Sequence, residues 1–212
     1  MSGIFGFAGP PDHALLARMA AVLAHRGPDD GGALERDAVS LGHRRLAAGD
    51  GARQPIVNED ETVWLVCDGS VLNGSDLRAE LEELGHVFAT TSDAEVIVHA
   101  YEQWGDTCAA RFNGVWAFAI ADLRADGAAA AGGEAVDEAA AAVGDAGGDA
   151  ARAGGRLVLC RDHLGVKPLY YTRSPASGSL LFASEIKALL QDPSVVARPD
   201  EQVVFEYLEH GL

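Results

Sequence analysis

Lysine is nearly absent from this chain. Only Lys167 and Lys187 occur in 212 residues, and 16 cations of either kind face 32 acids, for a formal net charge of −16. A charge of that size and sign disfavours nucleic acid and anionic membrane surfaces as partners. Eighteen of the acids are aspartate. Much aspartate, little lysine and an acidic surface point to a halophilic, salt-accumulating cell; the alternative is a high-GC organism with one acidic insert. Cysteine is scarce too. Cys67, Cys108 and Cys160 are odd in number and widely spaced. No pair has metal-site or redox spacing, so a reducing cytoplasm is the expected setting. No run of 18 apolar residues exists to span a membrane. The N-terminus lacks the basic and apolar regions of a signal peptide.

What is present fits one domain with a sizeable core. Residues 3–8 alternate glycine and apolar side chains and read as a first strand. Asp12 is placed to cap a helix through about His25, with Leu15, Leu16, Met19, Val22 and Leu23 on one face and Gly27 as its stop. Val39–His43 and Val63–Cys67 read as strands. Ser75 opens a short helix that ends before Gly85. Ser92 with Glu95 forms a capping-box pattern at the start of a helix through about Trp104. Val115–Ala121, Arg156–Arg161, Leu169–Thr172 and Leu180–Ala183 read as strands, and Ser184 and Asp200 as caps of two further helices. Trp64, Trp104 and Trp116 are expected in the core. Residues 125–155 differ from the rest: they are Ala, Gly, Asp and Glu with almost no large apolar side chain. Such a segment cannot bury enough surface to offset its ordering entropy. It is expected to be a mobile acidic insert in a surface hairpin, with a weak amphipathic helix near 134–143 and partner docking as further readings.

Seven segments carry a family pattern. They are Met1-Ser2-Gly3-Ile4-Phe5-Gly6-Phe7, Arg26-Gly27-Pro28-Asp29, His43-Arg44-Arg45-Leu46, Ser92-Asp93-Ala94-Glu95-Val96-Ile97, Phe112–Ala119, and Arg161–Tyr171 followed by Phe182–Leu189. In this order they resemble the class II glutamine amidotransferases, most nearly the N-terminal domain of asparagine synthetases. The resemblance implies an α+β, four-layer αββα N-terminal-nucleophile hydrolase fold, with two antiparallel sheets between helical layers. It implies one amidotransferase domain over residues 1–212, cytoplasmic, that hydrolyses glutamine and feeds ammonia to an ATP-dependent synthetase. In that family the amidotransferase domain continues with further strands and then the synthetase domain, and no Ser-Gly-Gly-x-Asp-Ser phosphate loop occurs here. The chain is therefore expected to be truncated, split or cut from a longer protein, and unable to make asparagine alone. ATP and Mg would belong to the synthetase domain or partner, so no cofactor is expected in this chain. A homodimer is left open.

The resemblance also implies a site. Arg45, with Leu46 beside it, matches the arginine that grips the glutamine α-carboxylate, which a guanidinium does bidentately. Asp93 matches the acid that pairs with the α-ammonium. The chemical half departs from the family. Ser2 stands where the family has its nucleophilic cysteine, and a hydroxyl ionises far less readily than a thiol. Asp68-Gly69-Ser70 stands where the family has Asn-Gly-Glu. An asparagine donates to the developing oxyanion; a carboxylate only accepts and brings like charge. Ser70 is too short to replace the glutamate, whereas Gly69 still offers its backbone N–H. Cys67 reads as a buried strand residue, not a displaced nucleophile. Arg26-Gly27-Pro28-Asp29 reads as a turn, and Arg161 with Asp162 as a buried ion pair. His25, His43 and His163 lie in motifs but none has metal spacing, so no metal site is expected.

Four functions compete on this reading: a working glutaminase, a silent domain that supports a synthetase using free ammonia, an amino-acid sensor that keeps Arg45 and Asp93, and a serine-type amide hydrolase that requires removal of Met1. Ser2, Asp68 and Ser70 together favour lost or redirected glutaminase activity.

Overall fold

The first strand decides where the core lies. Gly3–Ala8 (β1) is buried at all six positions, as a central strand covered on both faces must be. The computed structural model describes residues 1–36, 38–47, 52–124, 141–143 and 155–211. In chain order the other strands are β2 (Asp30–Arg36), β3 (Val39–Arg45), β4 (Ile56–Val57), β5 (Val63–Val71), β6 (Gly114–Asp122), β7 (Ala141–Val143), β8 (Arg156–Arg161), β9 (Tyr170–Arg173) and β10 (Leu180–Ala183). The helices are α1 (His13–Val22), α2 (Gly74–Glu83), α3 (Asp93–Trp104), α4 (Ile186–Leu189) and α5 (Glu201–His210), with a 3₁₀ segment at Gly105–Arg111.

The strands form two five-stranded sheets, ordered β2-β3-β1-β10-β9 and β4-β5-β6-β8-β7, antiparallel at every pairing. Alternation along β6 shows how they stack. Ala117, Ala119 and Ala121 point inward with Ile4, Leu41, Val66, Leu159 and Phe182. Trp116, Phe118 and Ile120 point outward into a cluster with Leu77, Leu81, Val96, Ile97 and Tyr101 of α2 and α3. Small residues inward and large residues outward follow the period of two of a strand. On the other sheet Phe5, Phe7 and Leu181 meet Leu15, Leu16 and Met19 of α1. The result is helix, sheet, sheet, helix, as the fold expectation has it. No helix among the described residues is long and apolar enough to cross a membrane.

Local expectations meet mixed outcomes. Asp12 caps α1 through Leu15 N (2.8 Å), and Asp200 caps α5 through Gln202 N and Val203 N. The helix from Asp12 ends at Val22, not His25, and turns through Arg26. The strands also run past their expected ends, β3 to Arg45 and β5 to Val71. The capping box does not form. Ser92 caps Ala94 N, but the Glu95 carboxylate turns away to accept from Ala89 N and Thr90 N. Ser184 caps nothing: its Oγ accepts from Ile4 N (2.9 Å) and ties β1 to the end of β10. The Arg161–Asp162 pair does not form either. Arg161 donates to the carbonyls of Gly165 and Lys167, while Asp162 accepts from Leu164, Val166 and Lys167 N–H groups, so each side chain shapes the turn after β8. Strand β2 is absent from the sequence reading because Asp30-Gly31-Gly32 has no strand propensity; its register with β3, from Asp30↔Arg45 to Arg36↔Val39, imposes the conformation. Of residues 125–155, only 141–143 and Gly155 lie within the described part. Residues 141–143 pair with β8 as a strand, not as a helix. The acidic insert otherwise lies outside the described residues.

Inter-sheet packing through alanine gives a direct test. Ala119→Leu is expected to cost about 1–3 kcal/mol by overpacking, whereas Val203→Ala on exposed α5 should stay within about 0.5 kcal/mol. Urea denaturation of both variants reads the difference, and equal small effects would refute tight contact between the sheets.

Candidate active site

One end of the two sheets opens into a cavity of about 450 Å³, lined by Ser2, His43, Arg45, Leu46, Gln54, Asp68, Gly69, Ser70, Asp93 and Lys167 among others. Strand periodicity brings them there. Ile4 and His43 are cross-strand partners on β1 and β3 and share a face. Ser2 and Arg45 lie two residues along each chain, on that same face. From the facing sheet, Asp68 and Ser70 follow Val66 at the same period, and Val66 belongs to the inter-sheet core. Asp93 opens α3. Every residue singled out from the sequence as catalytic or substrate-binding thus lines one cavity.

Backbone geometry fixes the floor. Gly69 has φ of +148°, and a Cβ there would sit 2.2 Å from Val115 O, so only glycine fits. The Gln54 side-chain amide accepts from Cys67 N (2.6 Å) and donates to Cys67 O (3.0 Å). It continues the ladder of β5 where the short strand β4 has run out. Cys67 itself is buried, and burial holds its thiol far above the usual range, so it is no displaced nucleophile.

The carboxylate of Asp68 has two cations on it. Arg26 Nη2 lies 3.0 Å from Oδ2 and Lys167 Nζ lies 3.1 Å from Oδ1. The Arg26 and Asp68 side chains are only 7% and 4% exposed. Arg26 also donates to the carbonyl of Ser2 (2.7 Å) and to Glu185 Oε1 (3.2 Å). This corrects two expectations. Arg26 is a buried member of the site, not simply a turn residue. Asp68 does not face the cavity as bare negative charge, because both oxygens are paired. It still presents acceptors where a donor is needed. On the opposite side, Ser70 Oγ donates to Asp93 Oδ2 (2.7 Å), which occupies one oxygen of the acid.

Arg26, His43, Gln54 and Lys167 were not singled out from the sequence as site residues. Three of them lie inside the family segments, which was the available signal; Gln54 carried none. His43 is buried, its Nε2 makes no hydrogen bond among the described residues, and burial lowers its imidazole to about 4 against the pull of Asp68. It is therefore neutral at pH 7.

The sequence profile of the glutamine amidotransferase domain matches residues 1–131 and 150–212. The chain belongs to the glutamine amidotransferase domain family. Similar proteins include asparagine synthetase [glutamine-hydrolyzing] 3 of Bacillus subtilis, 37% identical over 171 residues, which cover 79% of this chain and 23% of that protein. Asparagine synthetase [glutamine-hydrolyzing] 2 of Oryza sativa is 33% identical over 199 residues, 91% of this chain and 28% of the relative. The chain thus spans about a quarter of the length of these relatives. Among solved structures, the glutamine phosphoribosylpyrophosphate amidotransferase of B. subtilis has a TM-score of 0.63 at 18% identity, over 90% of this chain and 43% of that one. That likeness concerns the fold, an α+β amidotransferase architecture.

Two measurements test the charge arrangement of this amidotransferase domain. Arg26→Met should cost about 3–5 kcal/mol, because it strands a buried carboxylate. Asp68→Asn in the Arg26→Met background should recover part of that loss; strictly additive losses in urea denaturation would show that the two groups are uncoupled. Glu185 is held down to about 2 from 4.5 by Lys187, His25 and Arg26, which outweigh its partial burial. Since its folded pKa is the lower one, its contribution is complete above about 4.5 and is lost as pH falls toward about 2. The stability gap between wild type and Glu185→Gln should narrow from about pH 5 to about pH 3, and a constant gap would refute the assignment.

Proposed function

We propose that this is the amidotransferase domain of an asparagine-synthetase-like protein whose glutaminase chemistry is impaired, and which supports an ATP-dependent synthetase that takes ammonia directly. One observation carries the reading: Asp68 occupies the segment where the family places an oxyanion donor, and its carboxylate is held there by Arg26 and Lys167. Loss of one such donor typically lowers a rate by about 100- to 1000-fold. The hydroxyl of Ser2 adds a second deficit. With Met1 attached, Ser2 has no free amine to act as its base, and the neighbouring Lys167 ammonium is tied to Asp68. Cytoplasmic, salt-rich surroundings are part of the same proposal, on composition alone.

A second reading is favoured by the opposite wall. Arg45 and Asp93 line a cavity of about 450 Å³, within the range of small-molecule pockets. A guanidinium and a carboxylate are the groups that grip the carboxylate and ammonium of an α-amino acid. The domain on this reading binds glutamine, or a related amino acid, without cleaving it.

Ammonia release from glutamine by the purified chain, in molar KCl and with its N-terminus verified by mass, tests the first reading. The expected rate equals that of Ser2→Ala. A rate clearly above that control would make Ser2 a working nucleophile and sink the proposal. Calorimetric titration with glutamine tests the second: heat that saturates in wild type and disappears in Arg45→Met supports binding, and no heat in wild type overturns it.

A further inference from the structure

On the outer side of β5, away from the Ser2 cavity, two histidines and three glutamates converge from three segments of the chain. His99 and Glu102 lie on α3, Glu95 one turn before them. His86 sits in the loop after α2, and Glu59 lies between β4 and β5. One donor atom each from Glu59, His86 and His99 lies within 4.8 Å of the others. His99 Nδ1 is 3.8 Å from Glu59 Oε2 and 3.1 Å from Glu102 Oε2. His86 Nδ1 is 3.9 Å from the same Glu102 oxygen. Around a tetrahedral ion with bonds of roughly 2.0–2.2 Å, donor atoms are about 3.3–3.6 Å apart. The three spacings of 3.1, 3.8 and 3.9 Å lie on either side of that value, and Glu59, His86 and His99 fall within 4.8 Å of one another, so side-chain rotation that draws Glu102 in with them would complete the set.

We propose that Glu59, His86, His99 and Glu102 form a structural site for a divalent ion of the zinc class. Three features beyond proximity support it. His86 Nε2 lies 3.2 Å from Gln103 Oε1; with the amide oxygen accepting, Nε2 bears the hydrogen and Nδ1 turns its lone pair toward Glu102. A lone pair and a carboxylate oxygen facing each other need a cation between them. Asn58 Nδ2 donates to Glu102 Oε1 (2.6 Å), and Oε2, hydrogen-bonded to His99 Nδ1 (3.1 Å), would become a ligand oxygen when a metal replaces the proton between them. Glu95, anchored by Ala89 N and Thr90 N, sits 3.8 Å from His99 Nε2, on the side of the ring away from Glu59 and Glu102. That nitrogen makes no hydrogen bond among the described residues; a shortening of this contact would give it the carboxylate partner usual for a metal-bound histidine. The salt bridges of Glu59 and Glu102 are to these same histidines, so the cluster holds more acid than paired base.

The donor set also selects the ion. Two imidazoles with two carboxylates suit Zn(II) and its neighbours better than Ca(II) or Mg(II), which prefer all-oxygen shells. Four protein donors fill a tetrahedral shell and leave no open position, so the site is structural. His99 is buried, whereas the Glu59 side chain is 46% exposed and offers the ion a way in. The ion would fasten the β4–β5 loop and the α2–α3 loop to the middle of α3.

The test uses the full chain, stripped with chelator and free of any histidine tag. Isothermal titration with Zn(II) is expected to show one equivalent bound at micromolar or tighter affinity, and Co(II) to give the intense visible bands of a tetrahedral complex. Glu59→Gln and His86→Asn should each weaken binding at least tenfold, with the melting temperature of the metal-free chain little changed, since neither side chain is central to the core. Absence of saturable binding in wild type would show that protons alone hold the cluster together and would overturn the proposal. Binding that persists unchanged in both variants would place the metal elsewhere and overturn it equally. Retained ammonia release or glutamine binding bears on neither outcome, because the site lies outside the cavity.

Discussion

The guanidinium of Arg26 is nearly excluded from water and touches three separate parts of the chain. It donates to the Ser2 carbonyl in front of β1, to Asp68 on β5 and to Glu185 before α4. One planar, permanently charged group thereby joins the two sheets at the mouth of the cavity and sets the position of Ser2. Buried charge is tolerated only when paired and hydrogen-bonded. Arg26 therefore requires Asp68 and Glu185, and Asp68 in turn draws in Lys167. The electrostatics of the site follow from this single constraint. Negative charge at Asp68 is neutralised, and Arg26 and Lys167 are both engaged with it.

Packing around that network is asymmetric by design of the strands. Alanines of β6 let the sheets approach, while the aromatic and branched residues of the same strand fill the helical side. Close approach of the sheets is what makes a cavity at their end narrow enough to bring Arg45 at the end of β3 and Asp93 at the start of α3 onto one small volume. The side chains that would hold an amino acid depend on inter-sheet contact far from the site. The same α3 that carries Asp93 at its first turn carries His99 and Glu102 at its middle and end, so the cavity wall and the histidine–glutamate cluster share one rigid element.

Much of the architecture was legible in the residues. Alternating glycine and apolar residues located β1, apolar runs between turn residues located β6, β8 and β10, and Asp12 and Asp200 marked their helices by chemistry that acts within three residues. Several errors arose where a side chain found a hydrogen-bond partner other than the expected one. Glu95 left its expected cap for Ala89 and Thr90; Ser184 serves β1, 180 residues away; Arg161 and Asp162 satisfy separate stretches of turn backbone. Strand β2 was invisible because two glycines and an aspartate acquire strand geometry only from β3 beside them.

Ser2, Arg45, Asp68, Gly69, Ser70 and Asp93 were recognised from short ordered motifs, because motif spacing reflects local strand and helix geometry. The sequence by itself determined the family, the fold class and the identity of the altered residues. Only the tertiary structure decided what Asp68 faces, since Arg26 and Lys167 reach it across 42 and 99 positions of chain. It alone assembled Glu59, His86, His99 and Glu102, whose spacing matches no metal motif. Electrostatic contacts act through space and not along the chain, so their partners are settled only when the sheets and helices have packed.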